Sequence, residues 1–253
     1  MKKPVVQPST RPESINSRLT LGIHPVREAL RAHRPLDKVV IAKGAAGPRI
    51  QEILELCRAQ SVAVRFEPRD MLDKTAKGVP HQGVMAFGAV HGYVELDAIV
   101  DGAKLLVVLD GVEDPHNLGA IVRTAHAAGA NAIVTPERRA APLTETVARA
   151  AAGALEYLPV VRVTNVTQTL EQLKAKGFWI YGLDERGTEL YDKVDYTAPT
   201  ALVFGGEGKG LHHGVQKHCD ILVRIPMAGE VSSLNVSVAA GVVLFDWRRR
   251  KAT

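Results

Sequence analysis

Residues 201–210 read Ala-Leu-Val-Phe-Gly-Gly-Glu-Gly-Lys-Gly, an apolar run that passes directly into a glycine-rich loop. The run predicts a buried strand, and four glycines in six positions let the backbone approach a ligand where any Cβ would collide. A second predicted strand (Ile221–Ile225), a loop (Pro226–Val231) and a long apolar helix opening with Ser232-Ser233-Leu234-Asn235 follow. Two loops that each follow a strand indicate one pocket built mainly from main chain.

Neither of the two common nucleotide-binding fingerprints fits the glycine loop. A dinucleotide fingerprint follows the first strand of its unit and precedes an acidic residue by about 20 positions, whereas this loop comes late in the chain. A phosphate-binding P-loop requires Gly-Lys-Ser/Thr, but Gly208-Lys209 is followed by Gly210. A tight structural turn remains the alternative when the loop is considered alone.

The glycine loop is one of three separated segments in which glycine, asparagine, arginine or serine follows a predicted strand. The segments are Asn117-x-Gly119-x-x-x-Arg123, Phe204–Leu211, and the stretch from Ile225-Pro226-Met227 to Ser232-Ser233-Leu234-Asn235-Val236-Ser237. In this order they resemble the three signature motifs of the SpoU family, and the resemblance extends upstream to about Leu21. SpoU proteins are S-adenosylmethionine-dependent RNA 2′-O-ribose methyltransferases with the knotted SPOUT fold.

The resemblance implies an α/β fold in two domains. Residues 19–90 are expected to form a small α/β substrate-binding domain similar to ribosomal protein L30e. Residues 104–253 are expected to form a SPOUT methyltransferase domain, whose parallel sheet contains a trefoil knot. Residues 91–103 are the predicted linker, and residues 1–18 the predicted disordered extension. The knot follows from the resemblance alone, because the connection rules of ordinary chains argue against one.

Hydrophobic patterns predict α/β structure in both halves of the chain independently of that resemblance. In the first half, one face of a helix is marked by the spacing of Ile50, Ile53, Leu54 and Cys57. In the second half, apolar runs alternate with helical patterns, one of which covers Leu143–Ala154. The predicted strands are Leu105–Leu109, Ala132–Thr135, Leu158–Val163, Phe178–Leu183 and Thr200–Phe204. This alternation predicts a mostly parallel sheet covered on both faces.

The resemblance also implies a set of candidate catalytic residues. They are Asn117, Arg123, Glu207, Ser233 and Asn235. Since Gly119 and Arg123 are four apart, we expect Arg123 to lie across the bare surface of Gly119, near the helix start. An RNA phosphate would be attracted there. Arginine stays protonated in proteins, so we assign Arg123 to binding the phosphate and to orienting or acidifying the ribose hydroxyl. General base catalysis by Arg123 is the alternative, and it would require a site that shifts the arginine pKa greatly. A capped helix with a surface arginine is the structural alternative.

The other candidate residues lie in the two loops. Glu207 is placed between glycines, where its carboxylate could accept hydrogen bonds from Asn117, Arg123 or the substrate; an exposed loop acid is the alternative. Ser232 or Ser233 is expected to cap the last helix. The residues expected to bind the cofactor, with main chain against adenine and apolar side chains around it, are Gly205, Gly206, Gly210, Ile225, Met227 and Leu234.

The composition limits the partners without naming them. Lys and Arg number 32 against 27 Asp and Glu, and the resulting net charge of +5 permits an RNA partner without demonstrating one. Cys57 and Cys219 stand in no metal-ligand pattern, and two thiols fit a reducing, cytoplasmic compartment. We expect no membrane span and no metal, because no apolar run approaches 18 residues and the histidines form no ligand set. These histidines are His116, His212, His213 and His218.

The sequence of the last helix predicts that the protein associates with another polypeptide chain. Its sequence is apolar nearly all round, so one face can pack on its own sheet while the rest needs another cover. Because SpoU proteins dimerise through this region, the resemblance implies a homodimer. It further implies transfer of methyl to the ribose 2′-oxygen of a guanosine in 23S ribosomal RNA. A tRNA or another rRNA site is one alternative, and a non-catalytic RNA-binding or ribosome-assembly factor is another.

Overall fold

The computed structural model describes residues 19–88, 91–196, 199–206 and 210–251. The predicted extension at residues 1–18 and the candidate residue Glu207 lie outside these ranges. The strands are β1 (Leu19–Leu21), β2 (Leu36–Ala42), β3 (Ala63–Glu67), β4 (Val84–Gly88), β5 (Leu105–Asp110), β6 (Ala132–Pro136), β7 (Val160–Val163), β8 (Trp179–Leu183), β9 (Glu189–Leu190), β10 (Thr200–Gly205) and β11 (Ile221–Arg224). The helices are α1 (Ile23–Arg31), α2 (Pro48–Ala59), α3 (Arg69–Ala76), α4 (Asp97–Val100), α5 (Pro115–Ala128), α6 (Glu145–Ala150), α7 (Val166–Ala175), α8 (His213–His218) and α9 (Val236–Lys251). Within these ranges no helix has the length and apolar character that a membrane span requires.

The first four strands form a mixed sheet in the order β1-β4-β2-β3. Strand β2 pairs parallel with β3 and antiparallel with β4, which also pairs antiparallel with β1. One face carries the core of α1 and α2, where Ile53 and Cys57 are fully buried as the spacing predicts; the other face carries Leu72 of α3. Helix α3 was not predicted, because only Leu72 and Ala76 of its eight residues are buried and they form too weak a periodic pattern.

The remaining strands form one sheet in the order β7-β6-β5-β10-β8-β11-β9, and every pairing in it is parallel. Successive side chains of β5 enter two different cores. Leu105, Val107 and Leu109 pack with α5 and α9, whereas Leu106 and Val108 pack with α7 and α8. The α/β fold with a parallel sheet covered on both faces is therefore confirmed, and the trefoil knot stays a prediction.

The helix expected at Leu143–Ala154 is shorter than its sequence pattern suggested. Helix α6 begins after Thr144, whose hydroxyl accepts a hydrogen bond from the Val147 backbone N–H. Helix α6 ends at Ala150. Ala152 (φ 50°) and Gly153 (φ 92°) adopt left-handed backbone conformations that an α-helix cannot continue through. A short 3₁₀ turn then leads into β7.

Polar contacts join the two sheets, and those made by Glu156 are buried. Arg34 after α1 lies 3.1 Å from the carboxylate of Glu156, and His91 lies 3.3 Å from the same carboxylate. The Tyr157 hydroxyl donates to Glu28 of α1 at 3.0 Å. Because Glu156 is almost fully buried, breaking this cluster would leave a charge unpaired inside the protein. The orientation of the first sheet is therefore coupled to the second.

Candidate active site

The glycine loop begins where two central strands end side by side. Gly205 of β10 pairs with Asp110 of β5, and the Gly206 N–H donates to the Asp110 carbonyl at 2.8 Å. A Cβ added to Gly206 would lie 2.0 Å from the Gly111 carbonyl oxygen, and one added to Gly205 would lie 2.1 Å from the Gly210 carbonyl carbon. Neighbouring backbone of the same chain therefore requires these glycines. Their contact with the cofactor stays a prediction.

Gly210 closes the loop beside an acidic residue that the sequence had not singled out. Its backbone is left-handed (φ 62°), and an added Cβ would lie 3.5 Å from the carboxylate of Asp184, just past the end of β8. Asp184 accepts hydrogen bonds from Arg186 (2.7 Å) and from the Gln216 amide (2.8 Å). Arg186 holds the pKa of Asp184 below its usual value. A polar residue that directly follows a buried apolar run is the sequence signal that could have identified Asp184.

Asn117 and Asn235 lie 118 positions apart in the sequence but in direct contact in the structure. The Asn235 side-chain amide donates to the Asn117 Oδ1 at 3.0 Å. Asn117 is buried (8% exposed) in the first turn of α5, whose start is capped by the Asp114 side chain. The packing of α9 on α5 thus joins the first motif to the third, as the prediction of a single pocket requires.

The cap of the last helix is Asn235, so the prediction of a cap by Ser232 or Ser233 is wrong. The Asn235 Oδ1 accepts hydrogen bonds from the backbone N–H of Ser237 (2.9 Å) and Val238 (3.4 Å). Helix α9 begins at Val236, so both serines precede the capping position and are exposed in the loop. One asparagine therefore caps a helix and holds Asn117 as well.

Arg123 does not occupy the position that its spacing from Gly119 predicted. A Cβ on Gly119 would lie 2.4 Å from the Ala150 Cβ and 2.7 Å from the Val147 carbonyl, so α6 fills the bare surface of Gly119. Arg123 is exposed, and its side chain makes no hydrogen bond or ion pair with another residue in the described ranges. It lies about 9 Å beyond Asn117 along α5. Its guanidinium donors are available to an external anion.

Residues 226–235 connect β11 to α9 as a continuous exposed segment. Across the described chain, residues 227–234 make no backbone hydrogen bond with any other residue. The segment nevertheless carries large apolar side chains, with Met227 39%, Leu234 40% and Val231 71% exposed. An adenine needs N–H and C=O partners at its edge and apolar groups on its faces. The segment offers both, so its residues fit a nucleoside cofactor.

The described ranges contain neither a cluster of metal ligands nor a reactive thiol. No group of three or more His, Cys, Asp and Glu side chains is placed there to hold a metal ion. Burial raises the pKa of the Cys219 thiol to about 12 and that of Cys57 to about 11. Both cysteines are thus protonated at neutral pH and are poor nucleophiles.

Two family models match the chain over its two sheets. Residues 104–245 match the SpoU rRNA Methylase family, and residues 19–91 match the RNA 2′-O ribose methyltransferase substrate binding family. The first match covers more than half of the chain and includes all three motifs.

Relatives and solved structures agree with the family models. The 23S rRNA (guanosine-2′-O-)-methyltransferase RlmB of Pseudomonas syringae pv. tomato is 45% identical over 239 residues, which span 91% of this chain and 95% of the relative. The protein YacO of Bacillus subtilis, assigned to the TrmH family of tRNA/rRNA methyltransferases, is 43% identical with the same two coverages.

The SpoU methyltransferase AviRb of Streptomyces viridochromogenes, crystallised with S-adenosylmethionine, superimposes with a TM-score of 0.79 at 28% identity and covers 92% of this chain and 90% of its own. An S-adenosylmethionine-bound rRNA methyltransferase of Sinorhizobium meliloti superimposes with a TM-score of 0.78 at 28% identity, over 92% and 87% of the two chains. The chain therefore belongs to the SpoU rRNA methylase family and is an RNA methyltransferase that uses S-adenosylmethionine.

Proposed function

We propose that this enzyme methylates the 2′-oxygen of a guanosine ribose in 23S ribosomal RNA. The observation that supports the proposal most directly is the hydrogen bond of 3.0 Å between Asn117 and Asn235, which unites the first and third motifs beside the glycine loop. The identity of 45% to a 23S rRNA guanosine methyltransferase favours this RNA over others. A tRNA substrate is the second candidate, because the Bacillus relative is described as a tRNA/rRNA methyltransferase.

The cofactor supplies a methyl group on an already activated sulfonium, so the protein has mainly to align the ribose hydroxyl with it. We assign Arg123 to an RNA phosphate, because its guanidinium is exposed and stays protonated. Asn117 and Asn235 are held rigidly by their mutual bond and by the two helices that carry them. Ser233 is exposed next to Asn235, which suits a contact with RNA. The role of Glu207 stays a prediction.

We propose that the cofactor-binding site lies between the glycine loop and residues 226–235, which we call the open segment. This site is referred to below as the cofactor seat. Gly205, Gly206 and Gly210 present main chain without side chains, while Ile225, Met227 and Leu234 supply the apolar walls. The free backbone groups of residues 227–234 support this assignment, since they can pair with the adenine edge without displacing an internal hydrogen bond.

Residues 19–90 are proposed as an L30e-like substrate-binding domain. The match of residues 19–91 to a substrate-binding family supports this assignment. Residues 91–103 serve as the linker to the catalytic domain at 104–253. This linker is held along the catalytic sheet, because Val94 bridges to Val161 and the Tyr93 hydroxyl accepts from the Leu143 N–H at 3.1 Å. Substrate bound to the first domain would thus be presented at a defined distance from the site.

A homodimer is proposed from the apolar surface beside the site. Val238 and Phe245 are half exposed on α9 and lie seven residues apart, so they share one face of the helix. Val231 and Leu234 extend that surface into the open segment. Sedimentation at micromolar concentration should give the mass of two chains, and Phe245→Asp should give the mass of one. A wild-type protein that sediments as one chain would rule the dimer out.

The substrate can be tested with tritiated S-adenosylmethionine and unmodified 23S rRNA made by transcription. Wild-type protein should label the transcript on one guanosine 2′-oxygen, and Arg123→Ala should lower kcat by at least about 100-fold. Asn235→Ala should lower it as well, and Lys104→Ala at the amino end of β5, away from the site, should not. Label on transcribed tRNA alone would favour the second candidate. An absence of label on both RNAs would favour a non-catalytic RNA-binding factor.

A further inference from the structure

A groove of about 610 Å³ opens next to the glycine loop, at the carboxyl ends of β5, β6 and β7. It is lined by Asp110 and Gly111, which also contact the glycine loop, and by Arg138 and Arg139 after β6. The start of α7 and His212 complete its walls. None of the three motifs accounts for these arginines, and the volume lies in the range of small-ligand sites.

Among the described residues that line the groove, the one acidic group is Asp110, and it is already paired. Asp110 accepts hydrogen bonds from the His212 backbone N–H (2.8 Å) and from its Nδ1 (2.9 Å). Nδ1 donates to the carboxylate, which leaves Nε2 to accept from Arg139 Nη1 at 3.0 Å. This chain of bonds compensates the carboxylate and holds Arg139 in place.

The arginines keep most of their donors for an external group. Arg139 uses one N–H on His212 and has others left, and its left-handed backbone (φ 57°) turns the loop at this point. Arg138 is exposed, and across the described chain it makes no hydrogen bond or ion pair. Asn165 caps α7 at the floor of the groove, so the positive end of that ten-residue helix faces the same space.

We propose that this groove binds the phosphodiester backbone of the RNA segment that flanks the target ribose, through Arg138 and Arg139. The inference rests on the proposed function, which it extends from the target ribose to its neighbours. An RNA strand is favoured because the groove is open, the free charges among its described lining residues are positive, and Gly111 connects it to the glycine loop. Arginines that contact phosphates add affinity and fix the register of the strand without reading its sequence.

The test compares Arg138→Gln, Arg139→Gln and the double variant with Lys104→Gln, an exposed cation at the amino end of β5. The KM and kcat for unmodified 23S rRNA transcript are measured at several salt concentrations, and S-adenosylmethionine binding is measured by calorimetry. The double variant should raise KM about tenfold with little change in kcat or cofactor affinity. The slope of log(kcat/KM) against log[salt] should fall by about 0.7 for each lost contact. Arg139→Lys keeps the positive charge, so its KM should lie closer to the wild-type value than the KM of Arg139→Gln.

Each result decides the inference. If the wild-type enzyme methylates the transcript while the double variant keeps its KM and salt slope, the groove does not bind RNA and the proposed function still stands. If the variants lose cofactor affinity instead, the groove belongs to the cofactor seat and the inference is wrong. If the wild-type enzyme methylates no RNA, the proposed function is wrong, and the inference that rests on it is wrong as well. Arg138→Gln is the control for misfolding. It removes no bond to another described residue, so a raised KM in this variant cannot be attributed to a damaged fold.

Discussion

The two sides of the candidate site are built differently. On one side Asn117, Asn235 and Gly206 are fixed by hydrogen bonds and by backbone packed too closely to admit a Cβ. On the other side residues 227–234 and Arg123 are exposed and make no comparable bonds to the described chain. The difference indicates that the first side belongs to the folding core, whereas the second keeps its hydrogen-bonding groups and apolar side chains available for a ligand. Substitutions on the two sides should therefore have separable effects on stability and activity.

The largest expected effect on stability comes from the closely packed side. Gly206→Ala places a Cβ 2.0 Å from the Gly111 carbonyl oxygen and should lower the free energy of unfolding by about 3 kcal/mol. Gly229→Ala in the open segment is the matched control, because no atom of the described residues, apart from its own chain neighbours, lies within 4 Å of the added Cβ. Urea unfolding of both variants measures the difference. Equal losses would abolish the distinction between the two sides.

Asn235 should show a smaller loss that divides into two parts. Asn235→Ala removes a helix cap, worth about 1 kcal/mol, and leaves the buried Asn117 oxygen without this donor, for about 1 kcal/mol more. Asn235→Asp keeps the cap but cannot donate, so it should lose about half as much. Ser233→Ala should be neutral in the same unfolding experiment, since Ser233 does not cap α9. A destabilised Ser233→Ala would contradict the assignment of the cap.

The open side should respond in binding rather than in folding. Leu234→Ala and Met227→Ala remove apolar walls of the proposed cofactor seat, and each should weaken S-adenosylmethionine binding about tenfold, or about 1.4 kcal/mol. Their melting temperatures without cofactor should stay at the wild-type value. Calorimetric titration and thermal melting measure the two quantities. Lower melting temperatures with unchanged cofactor affinity would show that these side chains stabilise the fold and do not bind the cofactor.

The smallest expected effect concerns Glu145 at the start of α6, the helix that packs on Gly119. Its buried Oε1 has no hydrogen-bond partner among the described residues, and burial raises the pKa of its carboxyl above the usual value. A carboxyl whose pKa is raised by folding favours the folded state below the unfolded pKa, and this advantage is lost as the pH rises through the folded pKa. Glu145→Gln should therefore be more stable than wild type at pH 7. Melting at pH 4 should reveal a smaller difference.

Much of the fold could be predicted because its signals are local. Leu105–Leu109 is a continuous apolar run, and its residues do alternate between the two cores of a parallel sheet. The spacing of Ile53 and Cys57 correctly marked the buried face of α2. Prediction failed where the local signal was weak, as in α3, or where left-handed residues ended a helical pattern, as at Ala152 and Gly153 after α6.

The candidate site was harder to predict, because its bonds join residues that are distant in sequence. No sequence window contains both Asn117 and Asn235, and none contains both Asp110 and His212. Spacing along one helix suggested that Arg123 covers Gly119, but another helix, α6, occupies that surface. The geometry of a single helix cannot show which element packs against the Gly119 surface, because that is decided by the packing between helices.

By itself the sequence determined the α/β class, the alternation of strands and helices that forms a parallel sheet, and membership of a methyltransferase family. These properties are carried by hydrophobic period and by short motifs, and both can be read from neighbouring residues. Only the tertiary structure decided that Asn235 caps α9 while holding Asn117, that backbone contact requires Gly206, and that Arg138 and Arg139 line a groove beside the glycine loop. Each of these depends on distances between segments, which are set when the sheet and its helices pack together.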